Sequence, residues 1–335
     1  MSDHSTGEGT NGKDVLRKGA TLARSKRVGA LGAVVLFSLG CASTPQDDGN
    51  SSSGSSSGGS PGGAQEAPGF DTDETRPSPE KDGCTESARL VYVVSQESDL
   101  YSFTPNEGVF TKIGHLDCPA TNGASPNSMA VDRKDTAWVN YDDGSLYKVS
   151  TADASCAATT FERNQAGFST FGMAFASNGA GSTEETLYIS SVPSDGSEGP
   201  YGLGKIDLET LKVTMIGNYS GLLAGETAEL TGTGDGRLYG FFTTSPNATF
   251  AEIDKETAKT SRDRLLAGVN TGLAWAFSFW GGDFWFYTSD GVHGSRVTQL
   301  KASGNGALEV VKTDVGGFRI VGAGVSTCAP TTPPK

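Results

Sequence analysis

One short phrase, an apolar strand with an aromatic as its third residue, recurs five times between Tyr92 and Trp285. The copies are Leu90-Val91-Tyr92, Thr136-Ala137-Trp138, Thr186-Leu187-Tyr188, Arg237-Leu238-Tyr239 and Asp283-Phe284-Trp285. Their aromatics stand 46, 50, 51 and 46 residues apart. Spacing this regular marks a chain of repeated supersecondary units, each too small to bury its own apolar face. A second apolar segment follows each copy, at residues 100–103, 146–149, 203–206, 250–253 and 297–300. Short apolar segments between turn residues read as strands, so the class is all-β.

A unit of this length fits one propeller blade, a four-stranded antiparallel meander packed radially around a channel. The aromatic phrase takes the second strand. First-strand candidates lie upstream at 129–132, 173–176, 228–231 and 275–279, rich in the small residues that a crowded channel wall requires. Gly234-Asp235-Gly236 and Gly281-Gly282-Asp283 supply tight turns between first and second strands. After the third strand, Ile206-Asp207-Leu208-Glu209-Thr210 and Ile253-Asp254-Lys255-Glu256-Thr257 place Asp and Thr where they nucleate a turn. Fourth strands include 111–114 and 214–217.

The ends of the pattern fix the count. Nothing before the Leu90 phrase can serve as its first strand, and nothing after residues 318–325 can serve as their second. The last strand must therefore complete the first blade, closing a ring of five at residues 84–328, with a short disordered tail at 329–335. This closure brings Cys84 beside Cys328 and predicts a disulfide there. Cys118 and Cys156 would then join the outer parts of adjacent blades. No CxxC pair occurs, which argues against zinc and thioredoxin-like chemistry.

The first quarter of the chain has another character. Residues 42–83 hold nine Ser, eight Gly and five Pro, a composition that cannot offset the entropy of ordering. As a flexible coil this stretch spans roughly 35–40 Å root-mean-square. Before it, the basic group Arg24, Lys26 and Arg27 precedes thirteen uncharged residues, 28–40, and then Cys41. Thirteen residues are too few to span a bilayer as a helix, and the positive flank is that of a secretory signal.

The run Phe37-Ser38-Leu39-Gly40-Cys41 resembles the bacterial lipoprotein signal, with Ser38 where a Leu is usual. The resemblance implies removal of residues 1–40, diacylation of Cys41, and a tether over 41–83 that holds the domain off the envelope membrane. Two acyl chains suffice for stable anchoring. The Ile-Asp-x-x-Thr hairpins are similar to those of quinoprotein-type, NHL and related secreted propellers, over residues 88–328.

Formal charge is −13, and about −10 of it falls on the domain, so the basic footprint that nucleic acid requires is missing. The sequence offers no HExxH, GxSxG, Walker or GxGxxG context, and we assign no catalytic residue, metal ligand or cofactor from it. Propellers use the face made by second-to-third-strand loops and by the entries to each blade. Tyr92 to Phe103 and Trp138 to Val149 are 11 residues each, whereas Tyr188 to Ile206 takes 18 and Trp285 to Leu300 takes 15. The candidate ligand-binding residues on these and neighbouring loops are Asp195, Glu198, Tyr201, Asn270 and His293. Trp275, Trp280 and Trp285 read as packing residues.

The leading expectation is a membrane-anchored envelope lipoprotein whose propeller binds a protein or glycan, or serves envelope structure. Five-bladed arabinanase-type glycosidases and metal-dependent lactonases suggest an enzyme instead. Both need carboxylates on the inner strands, where the sequence offers Asp132 and Glu229. The third alternative is an outer-membrane assembly component.

Overall fold

A computed structural model describes residues 83–121, 123–191 and 202–333. The lipoprotein-type signal, Cys41 and the linker through residue 82 lie outside the described residues, as do Asp195, Glu198 and Tyr201.

Among the described residues, twenty strands form five antiparallel sheets of four. Blade one contains β1 (Val91–Ser95), β2 (Asp99–Thr104) and β3 (Val109–His115). Blade two is β4 (Pro126–Val131), β5 (Thr136–Tyr141), β6 (Leu146–Ser150) and β7 (Cys156–Ala158). Blade three is β8 (Phe171–Ser177), β9 (Glu185–Ser191), β10 (Gly202–Ile206) and β11 (Val213–Asn218). Blade four is β12 (Ala228–Gly232), β13 (Leu238–Phe242), β14 (Thr249–Ile253) and β15 (Thr260–Leu265). Blade five is β16 (Ala274–Trp280), β17 (Asp283–Ser289), β18 (Arg296–Leu300) and β19 (Leu308–Lys312). The last strand, β20 (Ile320–Val325), pairs antiparallel with β1 and gives blade one its inner strand. Each aromatic phrase lies in or at the start of a second strand, as the repeat requires.

Packing explains why the pattern is so regular. Inner and second strands are buried along nearly their whole length, whereas outer strands such as β15 and β19 are mostly exposed or half-buried. Apolar side chains of adjacent blades interdigitate between sheets. Val91, Val93, Ala323 and Val325 of blade one pack on Trp285 and Tyr287 of blade five. Phe277, Phe284 and Phe286 of blade five meet Tyr239, Phe241 and Phe250 of blade four. The inner strands touch in the ring order β20, β4, β8, β12, β16. Close approach there leaves no room for side chains: a Cβ on Gly232 would sit 2.1 Å from the Phe175 carbonyl oxygen.

Disulfides join Cys84 to Cys328 and Cys118 to Cys156, the pairings that the ring closure implies. The first spans 244 residues and the second 38. In the chain-entropy account they contribute roughly 5 and 4 kcal/mol by constraining the unfolded chain. Ser326 adds to the closure, its Oγ donating to the Ala88 carbonyl at 2.6 Å. Among the described residues no helix is long and apolar enough to cross a membrane.

Candidate functional site

The five inner strands run side by side around the channel, so their first residues gather at one mouth and their last at the other. Second-to-third-strand loops and blade entries surround the first mouth. There the second residue of each inner strand, Val321, Asn127, Gly172, Glu229 and Trp275, forms a ring. In β20, β4 and β16 that residue is the one position of the strand that is not fully buried. A cavity of about 180 Å³ opens at this ring, lined by Gln96, Asn127, Glu229, Leu273, Trp275 and Val321 among others.

Glu229 is the buried acid of the mouth. It reaches from blade four to blade two, where Ser128 Oγ donates to its Oε2 at 2.8 Å. The Met173 amide of blade three donates to the same Ser128 Oγ at 3.2 Å, so three blades meet at one hydroxyl. Burial is the largest influence on the carboxyl and pushes its pKa up to about 8 against the opposing Ser128 bond. Glu229 is therefore a neutral carboxylic acid at pH 7, and so can donate as well as accept.

The neighbouring polar groups differ in how fully they are engaged. Asn127 Nδ2 donates to Asn140 Oδ1 and to the Phe171 carbonyl, each at 3.2 Å. Asn140 Oδ1 also accepts the Phe171 amide at 3.2 Å. Trp275 is half-buried, and its buried Nε1 has no hydrogen-bond partner. Trp275 packs against the core between blades four and five, as its assignment to packing expects, and also lines the mouth cavity. Trp280 and Trp285 do pack in the blade-five core, with Nε1 donating to the carbonyls of Arg89 and Trp280. Position sets Trp275 apart: it holds the second place of its inner strand, at the mouth, and the other two do not.

Asn270 and His293 come together, but beside the mouth. They line a separate cavity of about 280 Å³ with Asp290, Arg296 and Thr298 among others. His293 Nδ1 lies 2.9 Å from Asp290 Oδ2, and this carboxylate raises the imidazole pKa. Backbone N–H donors of His293 and Val292 hold Asp290 well below the usual carboxylate range. Asn270 is committed to its own loop, with Nδ2 donating to the Pro246 carbonyl at 3.0 Å and Oδ1 accepting the Gly272 amide at 2.8 Å.

The inner-strand carboxylates do not meet. Glu229 is second in β12, at the loop-side mouth, whereas Asp132 follows the last residue of β4, at the opposite end. Asp132 serves the turn there, accepting the Lys134 and Thr136 amides at 2.9 Å and Trp138 Nε1 at 3.2 Å. At that far mouth Glu185 accepts the Arg133 amide and Thr327 Oγ1, each at 2.8 Å, and burial pushes its pKa up to about 7. Among the described residues no three His, Cys, Asp or Glu side chains gather as a metal site.

No family model and no curated protein matches the chain. Its likeness is to solved propellers. The Dos1 propeller superposes with a TM-score of 0.39 at 12% identity over 71% of this chain, which spans 56% of that one. A gluconolactonase from Xanthomonas campestris gives 0.42 at 14% identity, covering 70% of this chain and 74% of its own. Hydrazine synthase of Kuenenia stuttgartiensis gives 0.37 at 12%, covering 70% and 69%. Likeness at this level concerns the fold alone. The class of protein is a five-bladed β-propeller whose ring closes through its C-terminal strand.

Proposed function

We propose that this chain is a lipid-anchored cell-envelope protein that presents its propeller on a tether and binds a ligand at the loop-side mouth. The observation that carries the binding role is the mouth itself. It is an open cavity with polar and apolar walls, formed at the second residues of the inner strands, three of which are the one position of their strand not fully buried. Hydrolysis by a carboxylate pair requires the two groups to flank one bond, and here Asp132 and Glu229 occupy opposite ends of the channel. The raised pKa of Glu229 is the feature that favours an enzyme, because a protonated acid can serve as general acid. Turnover of a glycan or lactone that is lost in Glu229→Gln would decide for that second reading.

Anchoring rests on the sequence at Cys41 and the Ser/Gly-rich stretch that follows. Mass spectrometry of membrane-extracted protein should find a mature N-terminus at Cys41 carrying acyl chains, and Cys41→Ser should leave the domain in the soluble fraction. A mature, unacylated form that begins elsewhere would remove the anchor from the proposal. Binding is tested separately on the isolated 83–333 domain.

A further inference from the structure

We infer that the loop-side mouth of the channel is a binding site for the end of a neutral carbohydrate chain, held between the Trp275 ring and the amides and acid of the facing blades. The inference rests on reading this face as the binding face and specifies its ligand class. Three features of the cavity converge on that class.

The first is charge. No Lys or Arg side chain lines the cavity, so phosphate, sulfate or uronate groups would find no counter-charge. Glu229 is neutral at pH 7, and the exposed carboxylate of Asp142, which accepts the Ser125 amide at 3.1 Å, stands alone on the rim. A cation would find that one carboxylate and no second to share it. A neutral ligand fits the interior of the cavity.

The second is the pattern of polar and apolar surface. Trp275, Val321, Ala274 and Leu273 give one apolar side, with Leu273 77% exposed at the rim. Gln96, Asn127 and Glu229 give a polar one. A pyranose has the same two-sided character, with C–H faces that pack on an aromatic ring and equatorial hydroxyls that both donate and accept. The ring of Trp275 supplies the apolar face, while its Nε1 is buried and out of a ligand's reach.

The third is size. About 180 Å³ is smaller than the roughly 300–1,000 Å³ of drug-sized sites. The cavity accepts one ring, end-on, and not a polymer lying across the face. The Glu229–Ser128 bond crosses the channel beneath it and gives the cavity a floor.

The test is a titration of the ¹⁵N-labelled 83–333 domain, followed through the indole N–H signals of its four tryptophans. The probes are neutral gluco-, xylo- and N-acetylglucosamine oligosaccharides, with oligogalacturonate, a polyamine and an unstructured neutral peptide beside them. A neutral series should move the Trp275 signal saturably while Trp138 stays fixed. Trp275→Leu removes the aromatic face, and should weaken binding about 2- to 10-fold, the worth of an aromatic stacking contact. Preference for the uronate, polyamine or peptide at Trp275 would overturn the inference, as would silence of that signal to every saccharide. A ligand that perturbs His293 and its cavity but leaves Trp275 unmoved would overturn the site and leave the binding face standing. Failure of every probe at both cavities would count against both.

Discussion

Glu229 keeps its proton because folding places it where water cannot compensate a charge, with Ser128 as its one side-chain hydrogen-bond partner. Its pKa rises from the ordinary glutamate value of 4.5 to about 8, so across that interval the folded chain holds a proton that the unfolded chain has released. Stability must then fall as pH rises through the interval, by on the order of 3 kcal/mol at pH 7 for this group. Glu185, raised to about 7, adds a slope of the same sign. Glu229→Gln should remove its share, so its melting temperature should exceed that of the parent at pH 7 and converge with it near pH 4.5. Parallel melting curves at the two pH values would show that Glu229 is ionised in the folded state. The sequence revealed that Glu229 was an inner-strand carboxylate, but not that it would reach across the channel to Ser128. That contact joins residues 101 positions apart and depends on the closed ring. The place of Trp275 at the mouth was hidden for the same reason, since three tryptophans within eleven residues look alike until the strand is oriented.

Inner strands are where blades come closest, and their small residues follow from that. On β12, Gly232 faces the backbone of β8, where a Cβ would also come within 2.7 Å of Ala176 Cβ. The obstacle is backbone and a fixed methyl, so no side-chain rotation can relieve it. Gly232→Ala should cost about 1–3 kcal/mol, the usual range for overpacking, and lower the denaturant midpoint with little change in slope. An unchanged midpoint would mean that blades three and four have freedom to part. Elements of this kind were legible in the sequence. Aromatic second strands, glycine-rich hairpins and small inner strands each follow from local chemistry repeated at a fixed interval. The mouth loops were not, because their lengths and residues follow no period.

As a whole, the molecule is a ring with a single closing strand. β20 contributes Ile320, Ala323 and Val325 to the core between blades five and one, and its pairing with β1 gives blade one its fourth strand. A chain ending at Phe318 should therefore lose cooperative unfolding altogether, in contrast to one trimmed after Ala329, which keeps Cys328. Retention of a sharp calorimetric transition in the shorter chain would show that the other four blades form a stable arc on their own. The closure was readable from sequence by elimination, since each end of the pattern lacked what the other held.

The nested disulfides carry a consequence for biosynthesis. The four cysteines of the propeller leave the ribosome in the order Cys84, Cys118, Cys156, Cys328, yet the first of them pairs with the last. The earliest bond that these four could form in an oxidising compartment, Cys84 with Cys118, is non-native, and it would hold the start of blade one against the wrong partner. Until the final strand arrives, Cys84 has no native partner, and β1 presents an open sheet edge, the surface most prone to pairing with a stranger. Maturation of this protein is thus gated on completion of the chain, and it calls for reshuffling of early thiol pairs or for their protection until residue 328 has been delivered.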